Sequence, residues 1–184
     1  MRLQTNMAVK NIFAASLSAA FCILAAAQSP AQQSDLSKTE AYIHAAVEQS
    51  GYYQTSGPNG EYLSERDHIV FDGCQVTLHV FAVSADDPVY KKESINLDIV
   101  FNLSQLDPKV VPTLEDANHN KLPDNREWVI LRTADRSESI IIWRDKKKAS
   151  AISAYPLPGS ANHADSQKLA EAFSRAITIC GQKQ

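Results

Sequence analysis

The side chains with the most chemical reach are five histidines, His44, His68, His79, His119 and His163, and the acids near them. His44 stands four residues from both Glu40 and Glu48, so a helix would project the imidazole and the carboxylates from one face. That spacing can hold a metal ion, and ordinary solvated helix faces show it too. Asp67-His68, with His79 further along, suits a small hydrolase, because an imidazole beside an acid moves protons near neutral pH. No G-x-S-x-G, H-E-x-x-H or Gly-rich phosphate loop accompanies these residues.

A second set is built from oxygen donors. In the stretch from Asp116 to Glu127, positions 1, 3, 5, 7, 9 and 12 are Asp116, Asn118, Asn120, Leu122, Asp124 and Glu127. Leu122 would contribute its carbonyl. Calcium takes six to eight oxygens, and a twelve-residue loop supplies them from those positions. The stretch resembles the calcium loops of dockerin-type and thrombospondin type-3 repeats. It departs from them at Lys121, where a glycine makes the sharp turn, and a strand rather than a helix is expected from Trp128 onward. The resemblance implies calcium as a cofactor; a polar hairpin loop has a similar composition.

A third set is aromatic. Tyr52, Tyr53 and Tyr62 lie among Gly51, Gly57, Pro58 and Gly60. Tyrosines on a Gly-rich loop offer rigid contact area for a partner. The alternative is that the rings fold back over the sheet.

The elements that must position these groups are read from periodicity. Ser37-x-x-Glu40 is a capping box that predicts a helix over about Lys38–Gln49, with Gly51 to end it. His68–Val83 reads as one long strand with Val70, Cys74, Val76, Leu78 and Val80 on one face and Ile69, Phe71, Phe81 and Val83 on the other. That second face is either covered by loops or a protein-binding patch. Ser94–Leu103 alternates strictly. Trp128–Thr133 and Ser139–Arg144 read as strands joined by a short turn, Lys146–Lys148 as a charged turn, and Ala151–Tyr155 as a short extra strand. Leu169, Phe173, Ala176, Ile177 and Cys180 form the stripe of a last helix, capped by Asp165 or Ser166 and ending at Gly181. The order predicts an α+β fold: about four antiparallel strands, flanked by an N-terminal and a C-terminal helix.

Residues Met1 to about Ala27 have the parts of a cleaved secretory signal peptide: Arg2 and Lys10, an apolar Ala-rich run, and small residues at Ala25 and Ala27. Residues 28–34 read as a polar linker and 35–184 as a single domain. Cleavage removes Cys22 and leaves Cys74 and Cys180, an even pair on two core-facing stripes, read as a disulfide. The chain carries a net charge of −3, and the leader holds two basic residues and no acid, so the mature chain is near −5. That balance argues against nucleic acid as a partner.

Phe71-Asp72-Gly73-Cys74, the run Phe101–Pro108, and the helix carrying Ala172, Phe173, Ala176, Ile177 and Cys180 together resemble a pattern of uncharacterised exported bacterial proteins. The matching residues are structural and imply no activity. The reading is an exported, periplasmic or secreted, non-enzymatic binding module without a membrane anchor after cleavage. It would act on an envelope or extracellular protein, inhibiting or protecting it. A small secreted hydrolase and a structural component of an envelope assembly are the alternatives.

Overall fold

A computed structural model describes residues 30–50, 53–56, 62–84, 94–116, 122 and 126–182. The expected signal peptide, Met1 to about Ala27, therefore lies outside the described residues. The chain runs through helix α1 (Pro30–Ser50) and strands β1 (Tyr53–Ser56), β2 (Tyr62–Asp72), β3 (Gln75–Ser84) and β4 (Ser94–Asn102). A 3-10 turn, Leu103–Gln105, precedes β5 (Pro112–Thr113), β6 (Trp128–Arg132), β7 (Ile140–Arg144), β8 (Lys147–Ile152) and β9 (Ala154–Pro158). Helix α2 (His163–Gly181) completes the order. The fold is α+β, as expected, with the disulfide Cys74–Cys180 in place at a Cα separation of 5.8 Å. Among the described residues the strands number nine rather than about four, in two antiparallel sheets ordered β1-β2-β3-β4-β7-β8 and β5-β6-β9.

The expected single strand His68–Val83 is a hairpin. Gly73 sits in the left-handed region (φ 57°), which glycine adopts without a Cβ penalty, so the chain reverses over Gly73-Cys74 alone. This reversal changes which residues share a face. Ile69 lies opposite Leu78 and Phe71 opposite Val76. Ile69 is therefore core and Val70 is exposed, the reverse of the expectation. The expected hairpin of Trp128–Thr133 with Ser139–Arg144 also fails: β6 pairs with β5 and β9, while β7 pairs with β4 and β8. The two-residue turn Asp145-Lys146, with both residues at positive φ, joins β7 to β8.

One core joins all layers. Ile43 and Val47 of α1, Leu169, Phe173 and Ile177 of α2, Leu78 and Ile99 of the large sheet, and Leu131 and Leu157 of the small sheet belong to a single buried cluster. Ala170 and Ala176 are fully buried, small residues on the packed face of α2. The helix starts differ from the capping reading. α1 begins at Pro30, where a proline's missing N–H costs nothing, so the capping box and part of the expected linker lie inside the helix. α2 is capped by Asn162, whose side chain accepts from the Ala164 N–H at 2.9 Å, and Ser166 is buried one turn in.

The lead-in to α2 is tightly packed. The Gly159 N–H donates to the Glu127 carbonyl at 2.8 Å. A Cβ on Gly159 would lie 2.7 Å from Ser166 Oγ and 2.8 Å from that same carbonyl oxygen. Ser166 is fully buried and its hydroxyl donates to the Ser160 carbonyl, so neither neighbour can retreat freely. Gly159→Ala should destabilise the fold by about 1–3 kcal/mol, the usual cost of overpacking, read as a lower urea midpoint with an unchanged slope.

Candidate functional site

Strand register builds a polar row on the outward face of the large sheet. His68 of β2 lies opposite His79 of β3, His79 opposite Asp98 of β4, and Asp98 opposite Trp143 of β7. A parallel row of Val70, Thr77, Val100 and Ile141 runs beside it. Alternation sends the neighbours Ile69, Leu78 and Ile99 to the core instead.

The row is tied together by short contacts. His79 Nδ1 lies 2.7 Å from an Asp98 carboxylate oxygen. The His68 and His79 rings stack at 6.2 Å between centroids and 17° between planes. α1 reaches the row because β1 pairs with β2 only over Tyr62–Glu65, and the helix packs against β2. From its flank Glu48 accepts from His68 Nδ1 at 2.9 Å through one carboxylate oxygen. The other oxygen lies 3.4 Å from His44 Nδ1. The His44 and His68 rings meet edge to face at 5.2 Å. All five side chains are about half exposed, between 41 and 51%. The row borders a cleft of about 540 Å³ that also takes in Phe81 and Asn96.

His44 thus meets Glu48, one of the carboxylates expected a helical turn away. Alternation along β2 turns the Asp67 side chain to the inward face, where it is buried, and the residue borders the same cleft as His68 and His79. The acid that serves His79 is Asp98, which sequence reasoning misses because it is one polar residue of an alternating strand. Its signal is the register of β4 on β3. Nor does spacing in sequence reveal that Glu48 bridges His44 and His68.

The calcium residues are described only in part. Asn118, Asn120 and Asp124 lie outside the described residues. Asp116 is half-buried and borders a surface hollow with Asp107, Lys109 and Arg132. Leu122 buries its side chain against Trp128. Both carboxylate oxygens of Glu127 lie 2.9 Å from His163 Nδ1, at the start of α2. Of the tyrosines, Tyr52 lies outside the described residues. Tyr53 opens β1 and Tyr62 opens β2, and their side chains are likewise outside the description.

A larger groove of about 600 Å³ lies between α1 and α2. Its Arg126 guanidinium donates to the Ser50 and Gly159 carbonyls and so joins the end of α1 to the lead-in of α2. In the β6–β7 connection the Ser137 hydroxyl and N–H hold the Asp135 carboxyl below the usual carboxylate range. Among the described residues no helix is long and apolar enough to cross a membrane. Comparison of the chain with protein-family models, curated proteins and solved structures finds no match.

Proposed function

We propose that this chain is an exported, periplasmic or secreted interaction module that binds an envelope or extracellular protein through the outward face of its large sheet. The observation that carries the reading is the exposure of Val70, Phe81 and Trp143, at 44, 43 and 37%, on that one face. Large apolar side chains grouped beside hydrogen-bonding groups are the composition of an interface: an aromatic anchor with a polar rim. The disulfide is compatible with an oxidising, exported setting. An inhibitory or protective action on another secreted protein needs only such a face.

Site-specific cross-linking in the producing cell tests this. A photo-reactive residue at Val70 or Phe81 should give one discrete adduct with an exported protein. The same probe at Glu138, in the exposed β6–β7 connection, should give none. An equal smear from all three positions, or no adduct from the sheet face, would count against the interface.

Calcium on 116–127 is a separate proposal, resting on the sequence pattern of oxygen donors. Millimolar calcium should then raise the melting temperature by a few degrees, because a ligand that binds only the native state stabilises it. Asp116→Ala should remove the shift. A melting temperature indifferent to calcium would leave the loop a connection between strands.

A further inference from the structure

We infer that His44, Glu48 and His68 form a binding site for a divalent transition metal of the zinc class, with an open coordination position facing the cleft beside His79. One ligand atom from each residue lies within 4.8 Å of the other two. In a tetrahedral zinc site with bonds of about 2.0–2.2 Å, donor atoms stand roughly 3.3–3.6 Å apart. Here Glu48 is already 3.4 Å from His44 Nδ1 and 2.9 Å from His68 Nδ1, so small side-chain rotations suffice.

The donor set selects the metal. Two nitrogens of three donors disfavour calcium and magnesium, which take oxygen, and suit zinc. Three protein ligands leave a position for water or another donor. The His68 ring has His44 edge to face at 5.2 Å on one side and His79 near-parallel at 6.2 Å on the other. His79, beside the ligand set, is itself paired with Asp98 at 2.7 Å. The charges also match: one carboxylate with two neutral imidazoles leaves a divalent ion only partly neutralised, and Asp98 supplies a second negative charge nearby. The ligands come from a helix flank and a strand 20 residues apart, on surfaces that the core does not need. The site stands whether or not the sheet face holds a partner.

The experiment is a Zn²⁺ titration of the disulfide-bonded mature chain without a polyhistidine tag, against a chromogenic chelator. One equivalent should bind. His44→Ala and His68→Ala should each weaken binding by more than the roughly 10–100-fold typical of losing an outer-shell partner. His163→Ala, which removes an exposed imidazole elsewhere, should leave it unchanged. On the unmutated protein, Zn²⁺ should shift the imidazole NMR signals of His44 and His68 and not that of His163, a readout that needs no variant to fold. Absence of saturable binding, or binding that survives both His44→Ala and His68→Ala, would overturn the assignment and leave an imidazole–carboxylate cluster only.

Discussion

The bond between Cys74 and Cys180 joins a two-residue reversal of the large sheet to the last turn of the C-terminal helix. It closes a separation of 106 residues. On a chain-entropy model a loop of that length contributes about 4–5 kcal/mol by restricting the unfolded chain. For a domain whose whole stability is about 5–15 kcal/mol, that is a large share. The neighbourhood is pinned by further bonds: the Leu103 N–H donates to the Cys74 carbonyl at 2.8 Å, and the Gln75 side chain donates to the Phe101 carbonyl at 3.1 Å. Turn, β4 end and α2 end are thus fastened at one corner.

That corner divides the sheet into two faces. The Gly73-Cys74 turn sets the register of β2 on β3, and β4 and β7 continue it. With α2 held by its last turn, Phe173 and Ile177 fill the inward side. The outward side keeps the imidazole row and the exposed Val70, Phe81 and Trp143. A register slip of one residue would exchange the two sets, placing His68 and His79 in the core. The disulfide and the candidate site are therefore linked through register rather than through contact.

Much of the frame is legible in the residues. The paired cysteines, the stripe of α2 and the alternation of β4 each point to a buried face without knowledge of the partner surface. The face assignments along β2 differ from the sequence pattern for one reason, while along β3 they hold, with Val76, Leu78 and Val80 buried and Phe81 exposed. A two-residue turn inverts the parity of the alternation, and an apolar run that crosses it, such as His68–Val83, looks continuous. Adjacency in sequence is also a poor guide to β6 and β7, because the two strands enter different sheets. The histidine cluster is half visible. The i, i+4 relation of His44 and Glu48 is local, but His68 joins them only by tertiary packing of α1 along β2. Asp98 becomes meaningful only when register sets it beside His79.

The dependence of the fold on its staple is measured most directly by urea unfolding of the oxidised protein and of a Cys74→Ala/Cys180→Ala variant, in one buffer. The variant should lose about 4–5 kcal/mol, less any strain released, and should sit near or past the edge of stability at about 37 °C. A loss below about 1 kcal/mol, with native-like spectra retained, would contradict the account, because the core alone would then hold the sheet register that positions the site.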